Sequence, residues 1–147
     1  MTPDESDNTA TRLRWSLVAL AVLGVAVSGY LTLVHFSGAP LVCAGEGGCS
    51  QVQSSRFAVV AGVPVALLGL LFYGSLVALG GWQALRTQPK AALISLALFG
   101  VALSGTLYSG YLTYLEVAVI GAICLWCVAS ALLATSITGL AAWDLAR

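Results

Sequence analysis

Four long apolar stretches, separated by short polar breaks, organise the chain: roughly Trp15–Phe36, Val63–Leu85, Ala91–Leu115 and Val119–Trp143. Each reaches the ~20 residues that a helix needs to cross ~30 Å of hydrocarbon. A backbone in lipid must satisfy its own polar groups, so each stretch is expected to be helical. The pattern predicts an all-α integral membrane protein, a four-helix bundle. Residues 1–14 form a polar cytoplasmic tail, disordered over Met1–Ala10, and residues 15–147 form one catalytic domain. A cleaved signal peptide has a shorter apolar run than Trp15–Phe36, so the first stretch reads as a crossing.

The longest polar break, Ser37–Gly62, carries its own pattern. Gly45-Glu46-Gly47-Gly48 reads as a flexible segment, and Ser50–Phe57 as a short amphipathic helix at the interface. Pro64 suits the first turn of the second crossing. Small residues four apart (Gly24 with Ser28, Gly100 with Ser104, Gly105 with Ser109) read as general helix packing. Ser28-Gly29-Tyr30-Leu31-Thr32 recurs 81 residues later as Ser109-Gly110-Tyr111-Leu112-Thr113, and Gly24 and Cys43 match Gly105 and Cys124 at the same offset. A faint duplication and coincidence in a Gly/Ala/Leu/Val-rich text both account for this.

Composition sharpens the picture: hydrophobic residues make up 59% of the 147 and charged residues 8%. Arg12 and Arg14, Arg86 and Lys90, and Arg147 mark one side of the bundle, which the positive-inside rule makes cytoplasmic. Trp15, Trp82 and Trp143 fit an aromatic belt on that side. The Ser37–Gly62 loop, with Arg56, and the Glu116 turn then face outward. Glu116 reads as a solvated turn residue, with proton uptake as its lesser role. His35 reads as interfacial, and Arg56 as a headgroup anchor or a cover for the site. Four-helix exporters need an intramembrane carboxylate to couple protons, and the centres of these crossings carry none. A transporter or scaffold with structural disulfides remains the non-enzymatic alternative.

The thiols are the reactive groups that remain. Cys43 and Cys49 flank the glycine-rich segment, and Cys124-Leu125-Trp126-Cys127 begins a helix, where the macrodipole favours a thiolate. Cysteines three apart share a helix face within reach of disulfide geometry. Haem attachment requires a histidine where Val128 stands. A four-cysteine zinc site and, for Cys43 and Cys49, a purely structural disulfide are the competing readings. The outward face is an oxidising compartment where disulfides persist, which suits exchange between two dithiols. Trp126 either packs on a bound ring or faces lipid.

The run Cys49-Ser50-Gln51-Val52-Gln53-Ser54-Ser55-Arg56-Phe57, then Gly62-Val63-Pro64 and Cys124-Leu125-Trp126-Cys127, resembles the vitamin K epoxide reductase family in its bacterial form. The similarity runs from the first crossing through the fourth. It implies a bundle around a quinone, ubiquinone or menaquinone, and a disulfide-generating oxidoreductase of the bacterial inner membrane. By that resemblance Cys127 faces the quinone, Cys124 exchanges with Cys49, and Cys43 meets a DsbA-like thioredoxin-fold protein. It also places Ser55, Phe57 and Phe72 near the quinone. Vertebrate members carry polar residues where alignment puts Val65 and Ala131, so plain quinone reduction is expected over epoxide reduction. Many bacterial relatives carry a fused thioredoxin-like domain; here the thiol partner is expected to be separate. A DsbB-like oxidase is disfavoured because its CxxC follows the first crossing, whereas this one opens the last.

Overall fold

The computed structural model describes residues 3–43, 48–86 and 91–147. The expected flexible run at Gly45, Glu46 and Gly47, and the basic position Lys90, lie outside them. Four helices are long and apolar enough to cross a bilayer: α1 (Pro3–Ser37), α3 (Val65–Leu85), α4 (Ala91–Leu115) and α5 (Leu125–Ala146). A shorter helix, α2 (Gly48–Gln53), lies between α1 and α3 in the chain. The fold is an all-α membrane bundle. α1 packs on α3 and α5, and α4 packs on α5 and α3, so α1 and α4 each sit between α3 and α5. Leu33, Leu71, Leu107 and Leu132 are among the large apolar side chains that remain exposed. In a chain of this composition they face lipid.

Several boundaries differ from the sequence expectation. Residues 3–10, expected to be disordered, and residues 11–14, expected as the rest of a polar tail, are the first turns of α1. At 35 residues α1 is roughly 50 Å long, well beyond the hydrocarbon thickness. The expected interfacial helix over Ser50–Phe57 is instead α2, ending at Gln53, followed by a single 3₁₀ turn at Arg56–Ala58. A two-residue hairpin then intervenes before α3. Strands β1 (Val59–Val60) and β2 (Val63–Pro64) pair antiparallel across Ala61 (φ +51°) and Gly62 (φ +82°). Two consecutive positive φ angles are what a tight hairpin turn matched to strand twist requires. The last crossing begins at Leu125, not Val119, because α4 runs into a π-helical turn (Glu116–Ile120) that ends at Gly121.

Two adjacent aromatics on α3 key it into the bundle. Gly24 on α1 leaves the space filled by the Tyr73 ring, and Gly105 on α4 the space filled by Phe72; a Cβ at either glycine would overlap the ring. Tyr73 is buried, and its hydroxyl donates to the Ser130 carbonyl of α5 at 2.6 Å. Leu76, Leu98, Ala102 and Ile137 continue this core toward the other end.

At that end a polar cluster ties all four long helices. Gln83 Nε2 donates to Ser95 Oγ (2.6 Å) and to Asp144 Oδ2 (2.7 Å), and Arg14 Nε lies 3.4 Å from Asp144 Oδ1. Sequence reading placed Arg14 only as a flanking charge and did not single out Asp144. They are partners across the bundle, 130 positions apart. An unpaired buried polar group costs about 1–3 kcal/mol. Asp144→Ala leaves Gln83, Ser95 and Arg14 without their shared acceptor. It is expected to destabilise the bundle by about 2 kcal/mol, read as a lower midpoint in thermal unfolding of the detergent-solubilised protein.

Candidate redox site

Two departures from regular helix build the site. α4 widens into a π-helical turn at Glu116, which closes with the Gly121 and Ala122 N–H groups donating to the Glu116 carbonyl, Ala122 at 3.1 Å. Gly121 takes φ +69°, the left-handed conformation in which glycine ends helices. The chain then runs extended to Cys124, which caps α5. Its Sγ accepts the Cys127 N–H at 3.4 Å, and its own N–H donates to Glu116 Oε2 at 3.1 Å. Glu116 is therefore buried, with 3% of its surface exposed, rather than solvated as expected. The signal that could have found it is a lone carboxylate in a run otherwise apolar from Val117 to Ile123.

The second cysteine pair is laid over this turn. Cys43 and Cys49 are disulfide-bonded with Cα atoms 6.4 Å apart, whereas Cys124 and Cys127 are free thiols. Gly48 at the start of α2 comes so close to the Ile123 carbonyl that a Cβ would sit 2.6 Å from the oxygen. That approach seats Cys49 and Val52 against Cys124, with Cys43, Trp126 and Cys127 packed around them. The four sulfurs thus share one cluster. The Cys124 thiol is held below its ordinary range, chiefly by a hydrogen bond from the Cys127 thiol and despite desolvation and the nearby Glu116.

Trp126 has a role that was not among those considered for it. Its Nε1 donates to the Val42 carbonyl at 2.8 Å, and its ring lies 5.0 Å from that of Tyr30. The Tyr30 hydroxyl in turn accepts the Val42 N–H at 3.1 Å. Both backbone groups of the residue before Cys43 are held by side chains of α1 and α5.

Beneath α2, between the halves of the long helices nearest the cysteines, lies a cavity of about 460 Å³. Cys127, Ser55, Phe57 and Phe72, the residues expected near a quinone, all line it. Of the two positions that depart from vertebrate relatives, Val65 lines it; Ser130, not its neighbour Ala131, is the α5 residue beside Cys127. Glu116, Tyr73 and Tyr108 also face it; sequence reading missed both tyrosines and gave Glu116 proton uptake only as a lesser role. Ser55 donates to the Val52 carbonyl at 2.7 Å, closing the end of α2. Arg56 is exposed and stacks over the Phe57 ring at 5.0 Å. His35 is half-buried near the outer end of α1, edge-on to Phe36.

The Vitamin K epoxide reductase family model matches residues 15–142. A curated relative, "Thiol-disulfide oxidoreductase LTO1" of Arabidopsis thaliana, is 34% identical over 122 residues, 80% of this chain and 32% of the relative. The chain thus spans about a third of that relative's length. The match over nearly all of the four crossings places the chain in the vitamin K epoxide reductase family.

Trp126→Phe retains the ring but removes the donor to Val42. Losing one such bond, about 1 kcal/mol, is expected to loosen the segment before Cys43. Amide exchange in peptides covering residues 38–43 should then quicken severalfold, with peptides from α3 and α4 unchanged.

Proposed function

We propose that this family member is a quinone-linked thiol–disulfide oxidoreductase that reoxidises a thioredoxin-fold, DsbA-like dithiol protein on the outer face of a bacterial cytoplasmic membrane. The observation that carries the reading is the single cluster of four sulfurs with Cys127 opening onto an apolar cavity. The thiol–disulfide chemistry named for the plant relative is what such a cluster performs. The cavity also fits the acceptor: its volume lies in the range of small-molecule sites, ~300–1,000 Å³, and Phe57, Phe72, Val65 and Leu112 give it apolar walls. A quinone held there supplies a two-electron, two-proton acceptor. Arg12, Arg14, Arg86 and Arg147 at the end away from the sulfurs support the orientation.

The chain's own residues then act in sequence. The partner's thiolate attacks Cys43, opening Cys43–Cys49 as its own disulfide forms. Cys49, freed, attacks Cys124, and Cys127 leaves as the thiolate in the cavity. Cys43 then attacks Cys49, restoring Cys43–Cys49 and releasing Cys124, whose lowered pKa makes it a ready leaving group. Val65 offers a bound ring no polar contact in the cavity, so an epoxide is expected to be a poorer substrate than a quinone.

The relay makes the four cysteines inequivalent. Cys43→Ala is expected to accumulate a Cys49–Cys124 bond, visible by non-reducing peptide mapping. A map containing only Cys124–Cys127 in every redox state would sink the inter-pair step.

The function itself is tested with purified protein, a reduced thioredoxin-fold donor and a short-chain ubiquinone or menaquinone. Loss of quinone absorbance in step with donor oxidation is expected, with little turnover of vitamin K epoxide. Donor oxidation without quinone consumption overturns the proposal, and equal turnover of epoxide and quinone assigns the second activity instead.

A further inference from the structure

Glu116 is a carboxyl buried at the one place in the bundle where thiols change charge. Among the described residues it is the only Asp or Glu that lines the cavity. One of its oxygens accepts the Cys124 N–H, and the carboxyl also lies within hydrogen-bonding reach of the Cys127 thiol. The other titratable groups on the cavity are Tyr108 of α4, Tyr73 of α3 and Cys127 itself. Cys124 packs behind, and α2 contributes only the Cys43–Cys49 disulfide, which does not titrate. Arg56 is exposed and turned onto Phe57.

This arrangement gives the Cys127 proton two acceptors, the Cys124 sulfur and the Glu116 carboxylate. Passing it to Cys124 merely exchanges which sulfur is charged. Passing it to Glu116 frees both sulfurs and keeps the proton inside the cavity, where a low dielectric disfavours a separate excursion to water. We propose that Glu116 is the catalytic acid–base of the Cys124–Cys127 pair: it takes the proton of the Cys127 thiol as the thiolate forms and returns it to the acceptor in the same cavity. The proposal rests on the quinone-linked reading above. Oxidation of the dithiol breaks two S–H bonds and forms one S–S bond. Two electrons and two protons pass to the quinone, giving the quinol. Glu116 carries the Cys127 proton; the Cys124 proton leaves to water at the outer face and is matched by one taken up from there.

Glu116→Gln separates this role from positioning, because the amide oxygen still accepts the Cys124 N–H. Two measurements test it. Infrared difference spectra of quinone-free protein, Cys124–Cys127 oxidised against reduced, should contain a carboxylic-acid C=O band that Glu116→Gln removes. Transfer from pre-reduced protein to a short-chain quinone should slow at least tenfold in Glu116→Gln and recover in part in Glu116→Asp. Intact Cys43–Cys49 in each variant establishes that the site has assembled. A wild-type spectrum without the carboxyl band, or undiminished transfer in Glu116→Gln, overturns the proposal. Wild-type protein that shows the band but reduces no quinone overturns the quinone reading and leaves the proton exchange between Glu116 and Cys127 standing.

Discussion

The bond from the Cys124 N–H to the Glu116 carboxylate sets the geometry on which the redox end of this bundle depends. A helix leaves its first N–H groups without intrahelical acceptors, and in an apolar setting water cannot supply them. α5 starts in such a setting, with Cys124 wholly buried. Two acceptors serve it: the Cys124 sulfur for the Cys127 N–H and the Glu116 carboxylate for the Cys124 N–H. To bring the carboxylate there, α4 must widen into a π-helical turn at Glu116 and stop at Gly121. The π-helical turn, the left-handed glycine and the position of the CxxC are thus consequences of one unsatisfied backbone donor.

The same bond fixes what packs above and below. With the Ile123 carbonyl held outward, Gly48 can approach it, and α2 delivers Cys49 to Cys124. Trp126 and Tyr30 hold the chain at Val42, so Cys43 is brought back to the cluster rather than left in solvent. Below, the rings of Phe72 and Tyr73 reach in opposite directions into notches at Gly105 and Gly24. Both rings also line the cavity next to Cys127.

The two ends of the bundle divide the labour. At the end away from the sulfurs, Arg14, Gln83, Ser95 and Asp144 satisfy one another across four helices. Hydrogen bonds of this kind in membrane bundles contribute roughly 0.6–2 kcal/mol each. At the sulfur end, the corresponding buried polar groups are titratable and face a cavity. One end is fixed by mutually paired groups; the other keeps groups that can exchange protons and disulfides.

The linear sequence was enough for the four crossings, because hydrophobic length is a one-dimensional property and lipid permits little else than a helix. It was enough to mark the two cysteine pairs as candidates and to reach the family, since Cys124-Leu125-Trp126-Cys127 and the run from Cys49 to Phe57 are contiguous motifs. The offset of 81 residues that links Gly24 to Gly105 also has a spatial counterpart, as each glycine receives one of two neighbouring rings. What needed the tertiary structure was every partnership between residues distant in the chain. Asp144 becomes an acceptor for Gln83 and Arg14, Trp126 becomes a clasp on Val42, and Glu116 turns from a surface carboxylate into a buried one. Hydropathy registers how polar a side chain is; which donor faces it is decided only when the helices pack and exclude water from the space between them.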